Sequence, residues 1–108
     1  MNGCIAVKIL MKVNICGMPY EVKEVEQPFN MADFQLGEID YASCEIKINK
    51  NLNENLKTEV LCHEIVHGIL HHLGYEEEND EKMVQQLANA INQTFYVKGE
   101  KDESDKRA

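Results

Sequence analysis

Residues 61–83 read LCHEIVHGILHHLGYEEENDEKM and hold every histidine of the chain: His63, His67, His71 and His72. The same stretch carries Glu76, Glu77, Glu78, Asp80 and Glu81, five carboxylates within six positions. On a helix, His63 and His67 rise from one face, one turn apart. Two imidazoles so placed can reach a single ion at about 2.0–2.1 Å. Glu64 stands about 100° round the helix from His63, so it does not ligate but lies beside the ion's open position, where a water binds. The pattern is H-E-x-x-H, and the chemistry it suits is zinc-assisted hydrolysis. Zinc lowers the pKa of a bound water from about 15.7 to about 7. Glu64 is then the base that takes the water's proton and hands it to the leaving amine. An Asp would be a methylene short, and a Gln could not accept the proton.

A catalytic zinc needs a third protein ligand. The longer pattern H-E-x-x-H-x-x-G-x-x-H is not met, because Leu70 stands at its glycine and Leu73 at its last histidine. The acidic stretch is the nearest supply. Glu81 is the first choice, since it lies three residues before Val84 and seven before Ala88 and so flanks the apolar face of the next helix. Asp80 on the other flank, Glu77 through a turn of loop, and His71, which continues the four-residue series from His67, are the alternatives. His72 points away and reads as surface. Tyr41 and Tyr75 are candidate donors to a developing oxyanion. Cys62 adjoins His63 but is turned away from its target.

These side chains need elements to hold them. KVNIC and YEVKEVE alternate apolar and polar residues about the break GMP, which predicts a strand hairpin. GEIDY and CEIKIN alternate likewise about Ala42–Ser43, which predicts a second hairpin from Gly37 to Asn49. QPFNMADFQL between them is irregular. From Asn53 the period changes: Val60, Leu61, Ile65, Val66, Ile69, Leu70 and Leu73 recur at helical steps. Asn53 is the expected N-cap and Gly74 the expected C′ glycine. Residues 76–81 read as a loop into a second helix, whose apolar face is Met83, Val84, Leu87, Ala88, Ile91 and Phe95. Asp80 and Glu81 in its first turn suit the helix dipole. The expected fold is α+β: a small, mostly antiparallel sheet packed on the H-E-x-x-H helix and a second, C-terminal helix.

With 108 residues the chain forms one domain, residues 1–97, in which 1–10 reads as an N-terminal extension before Met11. Residues 98–108, KGEKDESDKRA, balance four basic against four acidic side chains and read as a disordered tail. The formal net charge of −8 speaks against a nucleic-acid partner, which needs a positive face. Cys4, Cys16, Cys44 and Cys62 form no C-x-x-C pair, and CIAV is too short an apolar run for a secretory segment or a membrane span. Free thiols in a cytoplasmic protein follow.

The run GEIDY…CEIKINKNL…LCHEIVHGILHHLGYEEENDEKMVQQLANAI resembles short HExxH proteins of bacterial phages and mobile elements. These are related in outline to the ImmA/IrrE and SprT-like zinc metallopeptidases, of zincin type. The similarity runs from about Met11 to Val97. It implies that His63, His67 and a downstream acidic residue, Glu81 first, bind zinc, that Glu64 is the base, and that the substrate is a protein such as a repressor or regulator. ImmA-like members carry a glutamate a few residues before Ala-Asn. Here Gln85 stands before Ala88–Asn89, so the third ligand stays open. HGILHHLGYEE is also similar to the H-G-x-L-H-x-x-G-Y-D-H signature of a bacterial rRNA-maturation metalloprotein family. In that register His67 and His71 would ligate with Glu77 as the third, which leaves His63 and Glu64 without a role. The leading expectation is therefore a zinc metallo-endopeptidase acting on a protein. A non-catalytic, zinc-stabilised binding protein and a metal-dependent ribonuclease are the alternatives, and an intact Glu64 is more than a structural zinc site needs.

Overall fold

Alternating apolar residues build four strands in the computed structural model, which describes residues 7–26 and 36–95, with the backbone alone for 7–10. The outer stretches 1–6 and 96–108, including the tail expected to be disordered, and residues 27–35 lie outside the described residues. Strand β1 (Val7–Ile15) and β2 (Met18–Val25) form an antiparallel hairpin. Its two-residue turn, Cys16 and Gly17, has φ of 53° and 86°. Both values lie in the left-handed region that matches the twist of a hairpin. The strand begins at Val7, so it takes in part of the stretch read as an extension before Met11.

Strands β3 (Gly37–Asp40) and β4 (Glu45–Asn49) form the second expected hairpin. Its turn is held by Asp40, whose Oδ1 accepts from the Ala42 and Ser43 amides at 3.0 and 3.2 Å. Those donors favour the ionised form and draw the Asp40 pKa down. The sheet order is β1-β2-β4-β3, so β3 is an edge. Two of the three pairings are antiparallel, as expected, but β2 and β4 run parallel, which makes the sheet mixed.

Helix α1 (Glu54–Leu73) starts and stops where its caps predict. The Asn53 side chain accepts from the Leu56 amide at 2.9 Å. Gly74 takes the left-handed conformation at φ 84°, and the Gly74 and Tyr75 amides close the last carbonyls on His71 and Leu70. One side of α1 meets the sheet, with Val60 and Leu61 against Ile15, Tyr20, Val22, Ile46 and Ile48. The other side meets helix α2 (Glu81–Thr94) through Cys62, Val66, Val84 and Ala88. The H-E-x-x-H helix is thus the middle layer, held on both faces, which fixes the rotation of its histidines.

Three expectations change here. The acidic stretch is not open loop: Glu76–Asn79 winds into a 3-10 turn. Asp80 is the N-cap of α2 and accepts from the Met83 amide at 3.1 Å, so its carboxylate is committed to capping. The apolar face of α2 is narrower than its spacing suggests. Val84 and Ala88 are buried, but Leu87 is 38% and Phe95 66% exposed. Among the described residues the buried face of α2 packs on α1, and Phe95 lies past the end of α2 in extended backbone.

The edge strand comes close to α1 at Gly37. A Cβ there would stand 2.5 Å from Val60 Cγ1 and 3.0 Å from the Lys47 carbonyl oxygen. Gly37→Ala should therefore push β3 off the helix and lower stability by about 1–3 kcal/mol, the usual penalty for overpacking. Urea unfolding of the two proteins measures it, and equal midpoints would show that the contact is soft.

Candidate metal centre

The four-residue spacing on α1 places His63 and His67 side by side, with ring centroids 4.9 Å apart and Nε2 atoms 3.2 Å apart. Glu81, the first residue of α2, reaches across to both. Its Oε1 lies 3.1 Å from His63 Nε2, and its Oε2 lies 3.2 Å from His67 Nε2. Among the described residues this is the one group of three such side chains whose donor atoms all fall within 4.8 Å of one another. Donors bound tetrahedrally at about 2.0–2.1 Å would sit about 3.3 Å apart; with both Glu81 oxygens counted, neighbouring donor atoms stand 3.1 to 3.2 Å apart, which suits a zinc-sized ion.

The hydrogen-bond partners of His63 suit a cation as well. His63 Nδ1 lies 2.8 Å from Gln85 Oε1, and Gln85 Nε2 donates to Asn89 Oδ1 at 2.9 Å. That second bond turns the amide oxygen of Gln85 toward the imidazole, so His63 Nδ1–H is the donor. In the neutral imidazole the lone pair of His63 is then on Nε2, and it faces a Glu81 carboxylate oxygen. Two electron-pair donors held 3.1 Å apart are the arrangement a metal ion satisfies. Gln85 had entered only as a departure from a motif. Its spacing of four from Glu81 puts both on one face of α2, and that signal could have placed it at the site.

Glu64 does not join the three. It is buried, at 8% exposure, on the flank of α1 that faces the start of β3. Burial raises its pKa from 4.5 to about 7, helped by the negative charges of Glu81 and Glu38. A carboxyl poised near neutrality can both take and give a proton. Glu64 lines a cleft of about 340 Å³ with His63, Val60 and Leu56 of α1, Leu36 and Gly37 at the start of β3, Gln85 of α2, and Glu59.

The remaining candidates are placed elsewhere. His71 stacks on Tyr41, with centroids 3.7 Å apart and planes 4° from parallel, and its Nδ1 meets Glu78 Oε2 at 3.2 Å. The Tyr41 hydroxyl donates to Glu78 Oε1 at 3.3 Å. Burial, then the charge of Glu78, pushes the Tyr41 pKa further above the phenol range, so it stays a protonated donor. His71, Tyr41 and Glu78 thus tie the end of α1 to the β3–β4 turn and the 3-10 turn. The register of His67, His71 and Glu77 is not assembled among the described residues. His72 is exposed, as expected, but not idle: its Nε2 shares a 2.6 Å hydrogen bond with the hydroxyl of fully buried Tyr20. The last turn of α1 lies over the sheet, which brings the two together. Tyr75 is 55% exposed. Cys62 is buried against α2, its Sγ 3.8 Å from Asn92 Oδ1, as its position on the helix requires.

A sequence profile described as the IrrE N-terminal-like domain, a peptidase family, matches residues 23–101, most of the chain. Comparisons with curated proteins and with solved structures give no significant match.

Proposed function

The chain belongs to the IrrE N-terminal-like peptidase family, and from that membership we propose that it is a zinc-dependent endopeptidase acting on a protein substrate. His63, His67 and Glu81 would hold the ion, and Glu64 is the base. The observation that carries this reading is the convergence of two imidazoles and one carboxylate beside a buried Glu64 whose pKa is pushed up to about 7. When bound, zinc supplies Lewis acidity that activates water and polarises a carbonyl. The chain's own residues do the rest. Gln85 fixes the tautomer of His63. Glu64 receives the proton of the attacking water on its carboxylate and returns it to the amine that leaves. Burial of Glu64 keeps bulk water from taking that proton first.

The edge position of β3 supports an extended substrate. Its outer side carries no partner strand among the described residues, and Gly37 at its start borders the cleft with Glu64. A substrate strand added there runs past the base, with main-chain hydrogen bonds for affinity. The substrate is a regulatory protein such as a repressor, met in the cytoplasm. Cys16, Cys44 and Cys62 form no disulfide among the described residues, which fits a reducing compartment, and no described helix is long and apolar enough to cross a membrane.

Sequencing protein N-termini in cells that express the chain tests the proposal. New termini should appear with the wild type, be absent with Glu64→Gln, and disappear under a zinc chelator. An identical set with both proteins would remove the peptidase reading and leave a metal-stabilised binding protein.

A further inference from the structure

The cleft beside Glu64 has more shape than peptide-bond hydrolysis needs. It runs along α1 toward the N-terminus, because Leu56, Glu59, Val60, His63 and Glu64 recur at three- and four-residue steps on one flank. Its walls are apolar, with Leu36 and Val60 near the base and Leu56 a turn further toward the N-terminus of α1. Glu59 stands one turn beyond His63, a rise of about 6 Å at about 1.5 Å per residue. Glu59 has no ion-pair partner among the described residues. The nearest lysine on the helix, Lys57, is taken by Glu24 at 2.7 Å and Glu54 at 3.5 Å. An aliphatic wall flanked by an unneutralised carboxylate complements a side chain with an apolar stem and a cationic head.

Resting on the peptidase reading above, we propose that this cleft is a specificity site for a lysine or arginine next to the scissile bond. The stem of that side chain lies against Leu56 and Val60, and its head meets the Glu59 carboxylate. Chain acidity alone would favour basic proteins in general. The cleft instead selects one basic side chain at one position, a helical turn from His63.

A binding measurement tests this without needing turnover. Zinc-loaded Glu64→Gln protein is titrated with N-acetyl methylamides of lysine, arginine, norleucine and glutamate, and the Leu56 and Val60 methyl signals are followed by NMR. The lysine and arginine compounds should shift these signals saturably and bind at least tenfold tighter than the glutamate compound. Glu59→Gln should shrink that ratio, and Glu59→Lys should invert it. Both changes are on an exposed position of α1, and a thermal melt of each variant checks folding. A glutamate compound that binds as well as lysine, or an unchanged preference in Glu59→Lys, overturns the assignment. Basic selectivity without any hydrolysis by the wild type would sink the peptidase reading and leave the cleft assignment standing.

Discussion

Exchanging Glu64 for Gln should stabilise the metal-free protein above pH 7, and in the metal-loaded protein it should slow peptide hydrolysis by about 10²–10⁴-fold. The first effect follows from where the carboxyl sits. Its pKa is about 7 in the fold against an ordinary 4.5, chiefly because burial disfavours the charged form. Between those two values the folded protein keeps a proton that the unfolded chain has released. Stability contributed by this group therefore falls as pH rises from about 4.5, and the loss is complete above about 7. The whole loss is on the order of 3 kcal/mol. A glutamine fills the same space without a charge to desolvate, so the variant escapes the penalty. Other titrating groups cancel when the two proteins are compared at each pH. Denaturant unfolding in the presence of a chelator, at pH 5 and pH 8, reads the difference directly. A gap between variant and wild type that does not widen from pH 5 to pH 8 would mean that Glu64 is not desolvated as its burial indicates. Zinc should narrow the gap, because a nearby cation favours the carboxylate. Such a site is less stable than its neutral analogue because the Glu64 carboxyl is kept out of water.

That trade explains why some of the site was legible in the sequence and some was not. Asn53 and Gly74 mark the ends of α1 through their own backbone chemistry, so the helix, and with it the shared face of His63 and His67, needs only local information. Glu81 could be chosen from its place at the flank of the next apolar face for the same reason. The limits appear where two elements meet. Gln85 acts only once α2 lies against α1: its spacing from Glu81 marks the shared face, but its partner, His63, is 22 positions away. The parallel pairing of β2 with β4 joins residues 24 positions apart, such as Glu21 and Glu45, and alternation within a strand does not say which strand it pairs with. Tyr20 and His72 are 52 positions apart. Leu87 and Phe95 fit a helical stripe, but a stripe says what can be buried and not whether a neighbour is there to bury it.

Single substitutions around the metal centre should reduce zinc retention in a graded order set by what each side chain holds. His67→Ala and Glu81→Ala each delete one of three donors, and neither neighbour can move into the gap. Asp80 is bound to the α2 N-terminus and His71 is stacked on Tyr41. Both variants should lose stoichiometric zinc on dialysis. Gln85→Ala leaves the donors in place but frees the His63 ring and its tautomer, and the loss of such an outer partner typically costs 10–100-fold in affinity. His71→Ala should retain wild-type affinity, since its ring is engaged with Tyr41 and Glu78. Metal content by atomic emission and competition with a chromogenic chelator give the order. Retention by Glu81→Ala together with loss in His71→Ala would move the ion one turn along α1 and undo the assignment of Glu64 as base. The order also has a stability readout. Zinc at about 1,000 times its Kd adds about 4 kcal/mol to folding, so the melting temperature should rise with zinc in the wild type and in His71→Ala, and stay flat in His67→Ala and Glu81→Ala. Because α1 is packed on both faces, its backbone should hold in all four variants. A change in metal affinity then reports on the donors and their supports rather than on a collapsed helix.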